Sequence, residues 1–324
     1  MAGNELSYCE YLKCKNACVK VTINRCSRQC SEVLAALFGR ILENPYFRPF
    51  YSVFLHKSIF QAETIDHGSG FLIADNFVIT SWHVIEEAMR DQTLVIRILN
   101  ETIGELFCVV VHCDPSNDLA LLYCHDLDLK RHEICPFALS EEALWPSVSV
   151  FSFGYPLTHT EESALFVKGY VSGLKNRYGD NRKPFWVLNC DLNNGNSGGP
   201  VLRRVGDDIK VVGVIAQKHK KQILTLEELN ILEEERSTLQ TNSASDSRDQ
   251  FWKSVSLKMY DALNETHCQF GYGNVVPGHL VVEFLSDPSV TSLMGSLKEM
   301  AMFFEIGLRR GYLDSILPSE FLKR

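Results

Sequence analysis

Short apolar runs separated by turns dominate residues 51–217 and constrain the fold more than any other feature. Runs such as Phe-Val-Ile-Thr at 77–80, Leu-Ala-Leu-Leu-Tyr at 119–123 and Val-Val-Gly-Val-Ile-Ala at 211–216 are β-branched or strongly apolar, and Asp-Asn, Asn-Gly and Gly-Asp pairs lie between such runs. A parallel α/β sheet needs a helix of about a dozen residues between strands, and most of these gaps have no room for one. The pattern therefore predicts an all-β sandwich or barrel.

Composition excludes several classes of function. The chain has 324 residues, which is enough for about two domains, and 45% apolar and 22% charged residues are typical of a globular chain with a full core. A net charge of −8 without a long Lys/Arg block argues against nucleic acid as a partner. No apolar run approaches the roughly 18–20 residues of a membrane span.

The cysteines and the N-terminus predict a location. Eleven cysteines, an odd number, follow a start that has neither a basic segment nor an apolar run of signal-peptide length. A disulfide framework is therefore not expected, and we predict a soluble protein of a reduced, cytoplasmic compartment.

Residues 1–50 form a distinct, Cys-rich segment that we predict to be partly helical, with a helix at 31–42. Four of its cysteines form two Cys-x-x-x-Cys pairs, and they can act together only if the chain reverses around residues 19–25. Such a hairpin could present four thiolates to Zn²⁺ or form two disulfides, whereas the alternative is that these thiols are small buried hydrophobes. The four are Cys14, Cys18, Cys26 and Cys30.

Two further stretches differ from the strand-rich region. Residues 218–267 combine a Lys/His cluster, a Glu-rich segment with spaced leucines and a polar run, and we expect either a lid over a cleft of the strand-rich region or an inert insertion. After strand-like residues 268–285, Asp287 and Pro288 start a C-terminal helix whose apolar face we expect to pack on the second half of the fold.

Three short motifs carry the chemistry. Residues 195–200, Gly-Asn-Ser-Gly-Gly-Pro, place Ser197 in a tight turn whose backbone amides can stabilise an oxyanion, although alone they also fit a Gly-rich hairpin. His83 ends the string Thr-Ser-Trp-His at 80–83, and Asp118 opens an apolar strand, so the pair supplies a base and a carboxylate to orient it. The chain order His, Asp, Ser is that of the chymotrypsin type.

These strings resemble the trypsin-like (chymotrypsin-fold) serine peptidases, and most closely the protease domain of the Deg/high-temperature-requirement branch. Further similar strings are Gly-Tyr-Pro-Leu at 154–157, Val-Ser-Gly at 171–173 and Val-Gly-Val at 212–214, so that the resemblance covers about 60–217 and 268–290. It implies two antiparallel six-stranded β-barrels, with His83 as base, Asp118 as its orienting carboxylate and Ser197 as nucleophile. It also implies that Gly195 and Ser197 supply the oxyanion amides.

The sequence departs from this family at several points. Asn196 stands where secreted members carry an Asp that pairs with a newly cut N-terminus, so we do not expect activation by propeptide cleavage. Trp82 replaces the small residue that usually precedes the His and could crowd the cleft. No PDZ domain is recognisable after residue 290.

Two residues are predicted to bind substrate. Asp191 lies six positions before Ser197, where trypsin-type enzymes carry the acid that selects Arg or Lys at P1, but Deg-type members carry an Asp two positions earlier with another role. Ala216 lies on the strand that lines the substrate groove in this fold.

The sequence thus predicts a serine endopeptidase that needs no cofactor, acting on protein or peptide substrates. Its peptidase domain is expected at 51–290, interrupted by residues 218–267 and followed by a helical segment at 291–324. A regulatory protein partner is expected, if present, to bind through 1–50 or 218–267. The alternatives are a catalytically silent peptidase fold used as a binding module and, more remotely, a zinc-linked adaptor.

Overall fold

The computed structural model describes residues 6–25, 63–91, 94–157, 163–175, 185–218, 250, 253 and 273–309. Thirteen strands and four helices are formed within these ranges. The predicted helix at 31–42 and, apart from Lys218 and residues 250 and 253, the insertion at 218–267 lie outside the described residues. None of the helices in the described ranges is long and apolar enough to cross a membrane.

Six antiparallel strands close into a first barrel in the order β1-β2-β3-β6-β5-β4. Its interior is filled by large apolar side chains, among which Phe71, Phe77 and Tyr123 are completely buried. The strands are β1 (Cys18–Arg25), β2 (Glu63–Ala74), β3 (Phe77–Thr80), β4 (Leu94–Asn100), β5 (Gly104–Asp114) and β6 (Leu119–Tyr123).

A second barrel of six antiparallel strands follows. Its order is β11-β8-β9-β10-β13-β12, pairing of β12 with β11 closes it, and the short β7 (Ala138–Leu139) adds parallel to β12 at one edge. The strands are β8 (Ser149–Gly154), β9 (Leu165–Lys175), β10 (Phe185–Asn189), β11 (Pro200–Val205), β12 (Asp208–Lys218) and β13 (Gly273–Pro277). The predicted all-β core of two six-stranded barrels is confirmed.

The first barrel begins earlier than the sequence predicts. Residues 18–25, assigned above to the Cys-rich segment, form β1 and pair along their length with β2 and β4. The preceding helix α1 (Tyr8–Asn16) is capped by Ser7, whose side chain and that of Glu10 bond reciprocally to each other's backbone N–H.

This strand also corrects the prediction for the N-terminal cysteines. The chain is extended over 18–25 and does not reverse there, as a cluster of the four thiols would require, while Cys26 and Cys30 lie outside the described residues. Cys14 and Cys18 are buried in the core instead. Burial raises the pKa of the Cys14 thiol to about 12 and that of Cys18 well above its usual range. Among the described residues, no group of three His, Cys, Asp or Glu side chains could hold a metal ion.

Two helices differ from what the composition of their segments predicts. Helix α2 (Trp82–Arg90) follows β3 after one residue, and helix α3 (Gly278–Ser286) occupies a stretch whose Val and Phe content predicts strand. Leu280, Val281 and Phe284 of α3 are buried at helical spacing, because packing on the barrel overrides their β-propensity.

The C-terminal helix α4 (Pro288–Arg309) begins where predicted, and the Asp287 carboxylate accepts hydrogen bonds from the backbone N–H and the hydroxyl of Ser289. It contacts α3 and β5, so it packs against α3 and the first barrel, whereas packing on the second barrel was expected. Lys298 lies over the Phe77 ring of that barrel. Of the predicted apolar face, Val290 and Leu297 are buried, whereas Leu293 is exposed.

Candidate active site

His83 and Asp118 meet at the edge of the first barrel. His83 is the second residue of α2, and its ring nitrogen Nδ1 lies 2.8 Å from Asp118 Oδ2. The backbone N–H of His83 donates to the other carboxylate oxygen at 2.9 Å. The Asp118 carboxylate therefore fixes both the start of the helix and the orientation of the imidazole. The imidazole remains accessible, since 42% of the His83 side chain is exposed against 17% of the Asp118 side chain.

A turn between β5 and β6 places Asp118. The Asp114 carboxylate accepts hydrogen bonds from the backbone N–H groups of Ser116 and Asn117 and from the Asn117 side chain. Asp118 then adopts a left-handed backbone with φ of 58°, which Asp tolerates better than most residues. Non-glycine residues held in this conformation cluster at functional sites.

Helix α2 is anchored to both barrels. Val84 and Ile85 are buried in the first core, and the Ser81 hydroxyl, just before the helix, donates to the Ile215 carbonyl of β12 at 2.9 Å. A Cβ added at Gly68 would lie 2.6 Å from a Val84 methyl and 3.0 Å from the Ser197 carbonyl oxygen. The glycine thus permits close approach of α2, β2 and the residue we predicted as nucleophile.

The loop that carries Ser197 comprises residues 194–198 and is called here the oxyanion loop. Gly195 and Gly198 have φ of 95° and 85°, values that favour glycine. Two of the loop's amides donate to backbone carbonyls of the protein. Asn196 N–H donates to the Asn193 carbonyl at 3.0 Å, and Gly198 N–H donates to the Ile215 carbonyl at 2.7 Å.

The amides of Gly195 and Ser197 have no acceptor among the residues that the structure describes. Each of these N–H groups points away from the C=O of its own peptide, because C=O and N–H lie on opposite sides of a trans peptide. Both of those carbonyls are held by hydrogen bonds. The Asn194 carbonyl accepts from Leu157 N–H at 2.7 Å, and the Asn196 carbonyl accepts from Gly199 N–H at 3.0 Å. Two adjacent donors held in this way can stabilise an oxyanion.

The backbone next to Ser197 lies close to the start of the helix that carries His83. A Cβ at Gly198 would lie 2.8 Å from the backbone nitrogen of Ser81, two residues before His83. The Ser197 side chain is half-buried, and within the described part of the chain no hydrogen bond joins its hydroxyl to His83. Such bonds are often long without substrate and shorten when it binds.

Close packing at Gly198 leads to a prediction about stability. A Cβ there would collide with the Ser69 carbonyl oxygen and the Thr80 hydroxyl, in addition to the strain of a positive φ. We expect Gly198→Ala to lower the free energy of unfolding by about 3 kcal/mol or more, measured by urea denaturation. Gly206 is the matched control, because its φ is 64° and no atom lies within 4 Å of an added Cβ. Gly206→Ala should cost only about 1 kcal/mol; equal losses for the two variants would contradict the packing described here.

Two departures from the family pattern have distinct surroundings. Asn196 is 2% exposed, and neither its Nδ2 nor its Oδ1 has a hydrogen-bond partner among the described residues. Trp82 is partly buried and packs against the core of the first barrel, which keeps part of its ring out of the solvent.

The two residues predicted to bind substrate are not brought into the His83–Asp118 cluster. Asp191 is exposed to solvent, whereas the P1 prediction assumed a buried carboxylate. Ala216 is completely buried where β12 has a bulge against β13, so it presents no surface to a ligand.

Ser69 is a residue to which the sequence analysis gave no role. It lies on β2, it is completely buried, and its hydroxyl donates to the Gly195 carbonyl at 2.6 Å. The sequence contains one indication of this role, the serine between two glycines at 68–70. Glycines in a strand often mark a place where another backbone approaches closely.

Comparisons with known proteins show what the chain is similar to. The family model described as a trypsin-like peptidase domain matches residues 68–214. A probable periplasmic serine endoprotease, DegP-like, of Pseudomonas fluorescens is 32% identical over 159 residues, which is 48% of this chain and 30% of that protein. A protein of the same description from Marinomonas is 31% identical over 159 residues. The chain therefore spans about a third of the length of these curated relatives.

Among solved structures, the active form of the Rv3671c protease of M. tuberculosis aligns with a TM-score of 0.46 at 16% identity, covering 85% of this chain and 82% of that one. Deg5 aligns with a TM-score of 0.44 at 21% identity, covering 66% and 88%. Residues 68–214 contain His83, Asp118 and the oxyanion loop, and this part of the chain matches the family model of the trypsin-like peptidase domain.

Proposed function

We propose that the protein is a serine endopeptidase that cleaves peptide bonds through an acyl-enzyme formed on Ser197. The observation that carries the proposal is the hydrogen-bonded His83–Asp118 pair beside a loop with two unengaged backbone amides. Nucleophile, base and oxyanion donors are the complete set that acyl transfer needs, so the proposal requires no cofactor.

The hydrogen bonds of His83 indicate the route of proton transfer in this reaction. With Nδ1–H donating to the Asp118 carboxylate, Nε2 of His83 is the free base. It takes the Ser197 proton as the hydroxyl attacks the substrate carbonyl, and then delivers that proton to the leaving amine. The same nitrogen then takes a proton from water as the water attacks the acyl carbon, and it returns that proton to the Ser197 oxygen as the bond to the acyl group breaks and the carboxylic acid leaves. The amides of Gly195 and Ser197 stabilise the oxyanion in both steps.

A catalytically silent fold that only binds proteins is the alternative, and cleavage of an unfolded protein separates the two. We expect the full chain to convert fluorescently labelled casein to peptides, and a fluorophosphonate to abolish this activity. Binding of casein without cleavage would favour the binding module.

The specificity at P1 requires its own experiment. An exposed carboxylate selects a cation weakly, because water screens the charge, so the position of Asp191 does not support a strong preference for Arg or Lys. We expect Asp191→Ala to change kcat/KM for Arg-P1 and Lys-P1 peptides by less than about fivefold. A peptide library read by mass spectrometry measures this. A loss of about 100-fold confined to basic P1 residues would show that Asp191 selects them after all.

A cytoplasmic location stays a prediction. The relatives from Pseudomonas and Marinomonas are described as periplasmic. The eight cysteines in the described ranges are free thiols. A regulatory partner for 1–50 or 218–267 also stays a prediction, since most of both segments lies outside those ranges.

A further inference from the structure

Ser69 joins the two barrels through three hydrogen bonds and has a fourth within the first barrel. Its hydroxyl donates to the Gly195 carbonyl at 2.6 Å and accepts from Tyr155 N–H at 2.9 Å. Its backbone N–H donates to the Ser197 carbonyl at 2.7 Å, and its carbonyl accepts from the Thr80 hydroxyl at 2.7 Å. A fully buried serine from the first barrel thus binds two carbonyls of the oxyanion loop in the second.

These two carbonyls decide the orientation of the loop. The peptide between Gly195 and Asn196 separates the two candidate oxyanion amides, and its C=O is held by the Ser69 hydroxyl while its N–H donates to Asn193. The peptide after Ser197 is held in the same manner, with its C=O on the Ser69 amide and its N–H on Ile215. The Gly195–Asn196 and Ser197–Gly198 peptides are therefore each held by two hydrogen bonds, one at the C=O and one at the N–H.

We propose that Ser69 is a positioning residue that keeps the oxyanion loop in the orientation in which the Gly195 and Ser197 amides face the substrate carbonyl. The inference rests on the proposed function, because those amides matter only if Ser197 is acylated. Ser69 itself is completely buried and does not touch the substrate.

Loss of the hydroxyl leaves two groups without partners. In Ser69→Ala, both the Gly195 carbonyl and Tyr155 N–H lose a buried hydrogen bond, which is costly enough to favour rearrangement. Gly195, with its φ of 95°, has no side chain to resist rotation of the adjoining peptides. Rotation removes an oxyanion donor, so acylation slows while binding of the ground-state substrate is retained.

A purely structural role makes a different prediction. If Ser69 only joins the barrels, its loss lowers the stability of the fold but leaves the kcat of the folded molecules unchanged. The kcat per folded molecule, set against KM, therefore distinguishes the two roles.

The experiment compares Ser69→Ala and Ser69→Cys with wild type and with Thr22→Val, all as the full chain. Thr22 is the matched control, because it is a buried hydroxyl of the same barrel that accepts from the Asn24 side chain at 2.8 Å and does not bond to the oxyanion loop. The folded fraction is measured by circular dichroism, and steady-state kinetics are recorded on one peptide ester and one peptide amide.

We expect Ser69→Ala to lower kcat by about 10- to 100-fold with KM changed by less than about twofold. Ser69→Cys, whose S–H is a weak donor, should fall between Ala and wild type, and it answers the question if the Ala variant does not fold. Thr22→Val should lose stability but retain its kcat.

A kcat within about twofold of wild type in Ser69→Ala, corrected for the folded fraction, would overturn the inference, and the same result in Ser69→Cys would overturn it if the Ala variant does not fold. Equal loss of kcat in Thr22→Val would also overturn it, because the effect would then be general destabilisation. If wild type itself reacts with neither the substrates nor a fluorophosphonate, the proposed function fails. If wild type reacts and the Ser69 variants match it, only the positioning role fails.

Discussion

Replacement of Ser197 by alanine is expected to lower kcat on a peptide substrate by a factor on the order of 10⁴ to 10⁶. The variant keeps the backbone amides and the His83–Asp118 pair but removes the only oxygen that we propose forms the acyl-enzyme. Activity that remains should come from oxyanion stabilisation and substrate positioning alone. The measurement is kcat in single-substrate assays with fluorogenic peptides.

The fold should survive this change. The hydrogen bonds that hold residue 197 in place come from its own carbonyl and from neighbouring amides, and none of them uses the hydroxyl. The thermal unfolding midpoint of Ser197→Ala should therefore lie within a few degrees of wild type. A folded variant that retains more than about a tenth of the wild-type kcat would contradict the assignment of Ser197 as nucleophile.

Asp118→Asn is expected to lower kcat by about 10⁴-fold near neutral pH. An amide at this position can present N–H to Nδ1 of His83, which favours the tautomer with its proton on Nε2. In that tautomer Nε2 donates and cannot accept the Ser197 proton. Asparagine is the informative substitution, because it tolerates the left-handed backbone at φ of 58° and can still accept the His83 backbone N–H.

The matched control is Asp114→Asn, one turn earlier in the same loop. Its carboxylate accepts two backbone N–H groups, where that of Asp118 accepts one, but its hydrogen bonds lie within the turn and do not reach His83. We expect a modest loss of stability from Asp114→Asn and little change in kcat. Similar kcat values for the two variants would show that the loop, and not the carboxylate on the imidazole, determines the rate.

The strand pattern was sufficient to predict an all-β core, and the resemblance of the three motifs to the trypsin-like peptidases implied the two barrels. Strands such as Phe77–Thr80 and Leu119–Tyr123 are buried and read as continuous apolar runs between turns. The motifs are local, because Ser197 needs flanking glycines with positive φ and Asp118 needs a turn, and both requirements appear in the chain itself. Local patterns therefore predicted candidate residues that lie at the ends of neighbouring strands.

The contacts between distant residues were not predictable. Cys18–Arg25 contains the run Cys-Val-Lys-Val, but the cysteines around it suggested a separate motif, and only pairing with β2 and β4 reveals a barrel strand. Helix α3 has the composition of a strand, and its helical form depends on the surface against which it packs. The role proposed for Ser69 depends on a carbonyl 126 residues away, and no property of the local sequence encodes that partner.

The central claim, that Ser197 is the activated nucleophile, is tested most directly by locating a fluorophosphonate adduct. The full chain is treated with the probe, digested and mapped by mass spectrometry. Ser197→Ala and Asp118→Asn are treated in parallel. The account predicts one adduct per molecule on Ser197, no adduct in Ser197→Ala and slow labelling of the same serine in Asp118→Asn. An adduct on another residue, or equal labelling of wild type and Ser197→Ala, would contradict it.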